Sequence, residues 1–547
     1  MSGEDVSNPI QTFQIEDGKS AKLEETATAH SPTADVPNMW SLDYVGLYAQ
    51  YAAIGLLYGS TAFTANTFCP YVYNGEPNVC ANAANIAFFA WSFKILFAIG
   101  TDLYRPFGLR RKPYMIMGWL MTLIFLLILA VAADTMDTSV WLSMLLMIQA
   151  FAMLSDVPAD GYSVELGKLE PKETRGTILA TGQQIRFTFG VVAAFIQSFL
   201  LNGTSTNAAD CQISFNGCWG WGLNINGYYW LLFVIVFMLV IPIYMLKELP
   251  SNAPVHTLTQ FREELWDTLQ SRTTLSLLVY VIGISGLCNF VSRANYYMQY
   301  YVIELTNFQV GLDAMTTYGV LSLAIWIFRT YLLNESWRRT SYFSNLFAAV
   351  LGLLWLPTYW NSPGARNPYY TIFVDIDQSF VQGISQVLFS MSVIELSKPG
   401  QEATTYELLI TVCNASLQFS GIVATQMLTP LNAVACEDTP CPSNQVDVSD
   451  GGTGFDNSNG PSRYTNYLLV LLAITFVSTL LFTPLLPDSK AQCHEWRDAG
   501  IKAGLSKRIG YISLFLSVFM VFYGFIAGIL LLDSHTSCQP VVGGHGC

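Results

Sequence analysis

The sequence predicts an all-α polytopic membrane protein: two six-helix bundles followed by a thirteenth, C-terminal transmembrane helix. Three observations carry that prediction. Apolar residues make up 52% of the 547-residue chain and charged residues only 12%, with a mean hydropathy of +0.38, whereas a soluble domain carries about 25% charge. Apolar runs of roughly 20 residues, long enough to cross a bilayer as helices, recur along the chain. An acidic segment between two such runs, 155–190, returns in looser form at 394–421. There Val164-Glu165-Leu166 matches Ile394-Glu395-Leu396, Lys168 matches Lys398, and Gly190 falls near Gly421. Duplicated membrane halves place a binding site near the bilayer midplane, where the halves meet.

The elements follow in order. Residues 1–43 are polar and acidic, with Glu4, Asp5, Glu16, Asp17, Glu24 and Glu25. They read as a disordered cytosolic tail, since a transit peptide is basic and acid-poor. The first bundle, 44–247, holds apolar runs at 44–67, 82–103, 113–133, 139–162, 176–201 and 227–246. A cytosolic linker, 248–273, leads to the second bundle, 274–487, with runs at 274–298, 314–333, 342–360, 370–393, 403–430 and 464–486. A cytosolic juxtamembrane segment, 488–510, sets Trp496, Ile501 and Leu505 among basic residues; it suits the inner leaflet or a plain linker equally. The run 511–532 is the extra helix, and 533–547 is an outer, cysteine-containing tail.

Positive charge orients the chain. Arg105, Arg110, Arg111, Lys112, Lys168, Lys172, Arg175, Arg338, Arg339, Lys398 and the cluster Lys490 to Arg508 fall in alternate connections, while Arg366 and Arg463 are the cations of the others. The positive-inside rule then makes the amino terminus cytosolic. Cysteines agree. Cys69, Cys80, Cys211, Cys218, Cys436, Cys441, Cys538 and Cys547 all fall outside, where disulfides persist, and form four candidate local pairs. Asn202-Gly203-Thr204 is a glycosylation sequon on that side.

Function is to be sought among charges inside the apolar runs: Lys94, Asp156, Asp160, Glu165, Arg186, Arg293, Arg329, Asp375, Asp377 and Glu407. A charge at the bilayer centre costs about 2.5–3.5 kcal/mol even on the lenient scale, so such groups face one another or a watery cavity. Those at helix ends, Glu165 and Arg329, snorkel to the interface as readily. No phosphate loop, no Gly-x-Ser-x-Gly elbow and no metal-ligand spacing occurs, and the five histidines lie outside the runs. No enzyme, cofactor, metal or nucleic-acid partner is expected; the bilayer is a partner by composition.

Gly100-Thr101-Asp102 followed by Gly108-Leu109-Arg110-Arg111-Lys112 resembles the loop between the second and third helices of the major facilitator superfamily. A more specific set joins it: Lys94, Asp102 and Arg105-Pro106-Phe107-Gly108; Asp156-Val157, Asp160 and Glu165; Arg186 and Gly190; Asp375; and Pro399-Gly400-Gln401-Glu402-Ala403-Thr404 with Leu408-Leu409 and Asn414. Together these resemble the folate–biopterin transporter (BT1) family. Lys398 and Glu407 depart from its pattern. The resemblance implies a secondary active transporter that works by alternating access on a folate- or pterin-type molecule. Transport of another small polar metabolite, such as S-adenosylmethionine or a nucleoside-like compound, stays open, as does a receptor on the same scaffold. Lys94, Asp160, Arg186, Arg293 and Asp375 are the expected substrate contacts: arginines for carboxylates, an aspartate for the pterin ring. Tyr296, Tyr297 and Tyr300 suit ring stacking or an interfacial belt. Asp160 and Asp156 are the expected proton carriers of a symport. Asp102, Arg110, Arg111, Glu165 and Glu402 are the expected inner gate. The plasma membrane is favoured over other secretory-pathway membranes.

Overall fold

The computed structural model describes residues 36–73, 83–201, 222–248, 257–396 except 289 and 291, 402–448 except 437–440 and 442, 453–503, 506–532, 536 and 539. From Asn38 onward the chain forms one compact unit. The first half comprises α1 (Val45–Tyr71), α2 (Ala83–Ala87), α3 (Lys94–Leu103), α4 (Lys112–Ala132), α5 (Thr138–Gly167), α6 (Thr177–Leu200) and α7 (Ile225–Val240). A connecting helix, α8 (Leu258–Leu269), starts at a capping box made by Thr257 and Gln260. The second half comprises α9 (Arg272–Leu287), α10 (Arg293–Tyr297), α11 (Asn307–Ile327), α12 (Trp337–Leu351), α13 (Leu356–Tyr359), α14 (Pro368–Val374), α15 (Ile376–Leu396) and α16 (Glu402–Gln426). A two-residue parallel pair, β1 (Ala435–Cys436) and β2 (Val446–Asp447), precedes α17 (Thr453–Asn457) and α18 (Gly460–Phe482). The chain continues through α19 (Lys490–Ala503) and α20 (Lys507–Leu532). Among the described residues eight helices are long and apolar enough to cross a membrane, from Lys112–Thr135 to Lys507–Ile526.

Three runs expected as single spans are broken. A 3-10 turn, Phe88–Phe93, separates α2 from α3; α9 stops at Leu287 before α10 restarts at Arg293; and Asp375 caps α14 ahead of α15. Periodicity conceals such breaks, because a buried membrane helix is apolar all round. Backbone freed at a break needs new partners. At the first break α16 supplies two: Ile95 N–H donates to Thr411 Oγ1 (3.0 Å), and the Trp91 carbonyl accepts from Asn414 Nδ2 (3.4 Å).

Helix starts on the expected cytosolic side are closed by carboxylates. Glu248 accepts the backbone N–H groups of Arg110, Arg111 and Lys112 (2.6, 3.1 and 3.1 Å) at the start of α4. Glu170 accepts those of Gly176 and Ile178 (2.7 and 3.1 Å) at the start of α6. Both place negative charge where a helix presents unpaired donors.

The halves meet along two seams. Helix α6 packs against α1 in its own half and α11 in the other, while α16 lies against α3 and α5. The α1–α6 contact is backbone-close: a Cβ on Gly55 would stand 1.8 Å from the Arg186 carbonyl oxygen. Small residues permit such approach between membrane helices. Helix α20 touches both halves, with Phe525 against Phe89 and Phe93 (5.5 and 5.6 Å between centroids) and Tyr523 against Phe419 (5.2 Å). Helix α19 buries Cys493 and packs on α15 and α9, so part of the juxtamembrane segment is docked on the second half. Cys69 is disulfide-bonded. Cys436 and Cys441, expected as a pair, are not joined in a disulfide. Cys80, Cys211, Cys218, Cys538, Cys547, Lys398 and the sequon lie outside the described residues.

Candidate functional site

The site begins with spacing. Asp156 and Asp160 are four residues apart on α5, hence on one face, and flank Pro158, which lies inside the helix. Lys94, the first residue of α3, and Arg186, midway along α6, converge on that face. Lys94 Nζ stands 2.8 Å from Asp156, 3.4 Å from Asp160 and 3.7 Å from Glu407 of α16. Arg186 bonds Asp156 and lies 3.5 Å from Asp160, with its guanidinium 4.9 Å from the Tyr51 ring centre. The Tyr51 hydroxyl donates to Asp160 (2.7 Å) and meets Ser163 (2.9 Å). All five charged residues are at most 4% exposed. Burying ions together is tolerable only when they pair and hydrogen-bond. Asp156 and Asp160 meet that condition; Glu407 does not, because no donor reaches either of its oxygens.

This cluster forms one wall of a cavity of about 250 Å³ between the halves. Lys94, Asp160 and Arg186 reach it from the first half. Tyr58, Phe88, Trp91 and Phe187 give it aromatic surface on that side, and Phe389, Tyr406, Gln386, Asn414 and Gln418 line it from the second. Such a site offers flat apolar faces with a few convergent polar groups. Arg186 Nε, buried and without an acceptor, is a spare donor at that wall.

A second charge network lies at the expected cytosolic end. Arg110 pairs with Asp102 (2.9 Å), Glu165 (3.1 Å) and Glu402 (3.4 Å). Arg111 pairs with Asp102 (2.9 Å) and Glu165 (2.6 Å) and lies 3.9 Å from Glu402. Lys168 adds a 3.1 Å pair to Glu402, and Asp102 accepts from the Thr404 N–H and hydroxyl (2.8 and 2.7 Å). Glu402 and Thr404 belong to the second half, the others to the first, so the halves are tied together here. Arg329–Thr181 (2.6 Å) and Arg175–Glu395 (3.4 Å) add to that tie.

With this geometry in view, the comparisons with known proteins are decisive. The family described as the BT1 family matches residues 55–502. The chain belongs to the BT1 family. Similar to part of it is "Probable folate-biopterin transporter 4" of Arabidopsis thaliana, 24% identical over 128 residues, which are 23% of this chain and 26% of that protein. The match thus spans about a quarter of that relative's length. The BT1-family chain also shares its fold with two solved structures. One is FucP, a major facilitator superfamily transporter in the outward conformation, at 14% identity, 80% of this chain, 98% of that one and a TM-score of 0.50. The other is a mutant of the nucleoside transporter NupG, at 12% identity, 81% of this chain, 100% of that one and a TM-score of 0.51. The BT1-family chain is therefore a multi-pass membrane transporter of major-facilitator architecture.

Not every expected contact of this BT1-family chain reaches the cavity. Arg293, at the start of α10, donates to Thr425 (3.2 Å) and is absent from the lining. Asp375 accepts from Gln299 (2.6 Å) and lines a separate cavity of about 50 Å³. The breaks before α10 and α15 take both residues off the helix faces that continuous spans would have given them. Tyr296 and Tyr297 pack on each other (5.9 Å) away from the main cavity; the side chains of Tyr300 and Asp377 lie outside the described residues. Sequence reasoning noted Glu407 as a charge within a span but gave it no role, and it missed Tyr51. The available signals were an acid on the distinctive α16 segment and a tyrosine next to Ala52, Ala53 and Gly55 of α1.

Proposed function

We propose that this transporter carries pterin-type compounds across a membrane by alternating access, in symport with protons. The cavity between the halves is the observation that carries the reading. Its aromatic wall suits a flat fused heterocycle. Asp160 is a carboxylate facing the space, able to accept two adjacent N–H groups of an aminopyrimidinone. Lys94 and the spare Arg186 donor suit a carbonyl or an anionic substituent. The volume, about 250 Å³, is below the usual range of about 300–1,000 Å³ for ligand sites. It therefore favours a compact pterin over a folate with its glutamyl end fully enclosed in this conformation. The cytosolic seal and the broken helices beside the cavity supply a gate and a flexible frame. No ATP-binding loop occurs, so an ion gradient drives accumulation, and a cluster with three carboxyls and two cations is suited to taking up a proton. The cell surface is the expected location, and the chain carries out no chemical conversion.

Uptake of labelled biopterin and folate into cells expressing the chain tests this reading, at acidic and at neutral external pH. Acid-stimulated biopterin uptake, competed by unlabelled pterin and lost in Asp160→Asn and Arg186→Gln, is the expected result. Absence of uptake for either compound, with the protein present at the surface, overturns the substrate assignment.

A further inference from the structure

Glu407 is the anomaly in the midplane cluster. It lies on α16, in the second half, while Lys94, Asp156, Asp160 and Arg186 all belong to the first. It is fully buried, and neither carboxylate oxygen has a hydrogen-bond partner. Among the described residues its one ion pair is with Lys94, at 3.7 Å, beyond hydrogen-bonding distance. Lys94 is already committed to Asp156 at 2.8 Å. The other carboxyls are better served: Asp156 accepts from Lys94 and Arg186, and Asp160 from Tyr51, Lys94 and Arg186.

Among the described residues the elements packed on α16 bring no further ion pair to Glu407. Helix α9 contributes Tyr280 and α20 contributes Tyr523, which packs on Phe419. Helix α15 contributes Ser390, beside the Tyr406 hydroxyl (3.4 Å); its Glu395 is taken up at the cytosolic end by Arg175 and His494. The 3-10 turn contributes Trp91, under the Lys94 ammonium at 5.1 Å. The cluster thus sets three carboxyls against two cations, and one proton balances it. That proton belongs on the carboxyl without donors, since an ionised group buried without hydrogen bonds is the costliest arrangement.

We propose that Glu407 is the proton-loading acid of the carrier and that its ionisation controls a Lys94–Glu407 tie between the two halves. This rests on the proton-coupled reading above and names its titrating residue, in place of Asp160 or Asp156. When Glu407 holds a proton, Lys94 is bound by the first half alone and the halves are free to rock at the midplane. When Glu407 gives its proton to water, the carboxylate draws Lys94 across the seam and pins the halves. Loading takes one proton from the outer solution; release returns it to the cytosol, and no other atom is exchanged.

The decisive measurement needs no substrate. Infrared difference spectra of the purified full-length protein, between acidic and alkaline buffer, report the C=O stretch of protonated carboxyls. A band that disappears in Glu407→Gln and moves in frequency in Glu407→Asp supports the proposal, with thermal unfolding confirming that both variants are folded. A band that persists in a folded Glu407→Gln, or disappears in Asp160→Asn instead, overturns it. Should Glu407→Gln not fold, the frequency shift in Glu407→Asp decides alone. Transport separates this idea from the pterin reading. Substrate exchange at equal pH that persists in Glu407→Gln, with loss of at least tenfold in acid-driven accumulation, supports it; accumulation with unchanged pH dependence overturns it. Failure of biopterin to be carried at all, with the infrared result intact, sinks the substrate assignment and leaves Glu407 as the proton site.

Discussion

Replacing Glu402 by Gln removes one charge from the network that ties the halves together at the expected cytosolic end, and the structure sets the size of the effect. Glu402 pairs with Lys168 at 3.1 Å and Arg110 at 3.4 Å and stands 3.9 Å from Arg111, all three on the opposite half. Its side chain is 6% exposed. A hydrogen bond to a charged partner contributes about 1.5–3 kcal/mol net. Lys168 is 26% exposed, so its share is reduced by solvent screening. If opening separates the halves here and breaks these contacts, their loss shifts the balance toward opening by about 10- to 150-fold. Asp102 keeps its bonds to Thr404, so the variant retains part of the seal and remains foldable. Spin labels at Tyr104, at the end of the first-half α3, and at Tyr331, beyond α11 in the second, read the separation of the halves; both positions are exposed. Pulsed electron resonance should show a longer distance population in Glu402→Gln and its suppression in Glu402→Asp. An unchanged distance distribution in a folded Glu402→Gln refutes the view that this network holds the halves closed.

Three further outcomes follow from single contacts. Gly55→Ala should separate α1 from α6 and cost about 1–3 kcal/mol, because a Cβ there collides with the Arg186 backbone at 1.8 Å; an unchanged melting temperature in detergent would contradict it. Tyr51→Phe keeps the ring beneath Arg186 but removes the hydroxyl bound to Asp160, so stability should fall by about 1–3 kcal/mol and substrate affinity should change with it; wild-type values in both would show the bond to be incidental. Glu170 gives a pH dependence: burial pushes its carboxyl up from 4.5 to about 7, against the N–H bonds from Gly176 and Ile178 and the nearby Lys490 charge that favour its anion. The folded state therefore holds this proton more tightly than the unfolded state. The resulting stability is full below about pH 4.5 and is lost as pH rises through about 7, a change of about 3 kcal/mol. Thermal melts of Glu170→Gln should be flatter over that window than those of the wild type, and equal slopes would remove Glu170 as the cause.

Composition and run length made the helical membrane architecture legible, because the bilayer enforces both. The duplicated acidic segment pointed to two places that matter, 155–190 and 394–421, which hold Asp156, Asp160, Glu165, Lys168, Arg186, Glu402 and Glu407, whereas Lys94, Asp102, Arg110 and Arg111 lie outside both. What could not be read was which charge meets which. Lys94 and Glu407 are more than three hundred positions apart in the chain and meet through the α3–α16 seam. Arg293 and Asp375 looked as central as Asp160 because position within an apolar run was the only available measure of depth. The breaks after Leu287 and at Asp375 redirect both toward neutral partners, Thr425 and Gln299. An averaged hydropathy window does not resolve breaks of a few residues.

A buried charge announces that partners exist without saying where they are, and the difference between structure and function lies in how completely those partners serve it. The network at the expected cytosolic end is well served at its carboxylates: Asp102 alone is bonded to Arg110, Arg111 and Thr404. Carboxylates bonded in this way suit a structural tie between the halves. The midplane cluster is unsaturated at Glu407 and at Arg186 Nε, the first suited to a proton and the second to a substrate acceptor. Each of those two groups carries a desolvation cost with no compensating bond in this arrangement. One sits in the charge cluster that backs the cavity and the other on a residue that lines it, so both suit partners that arrive and leave during a transport cycle.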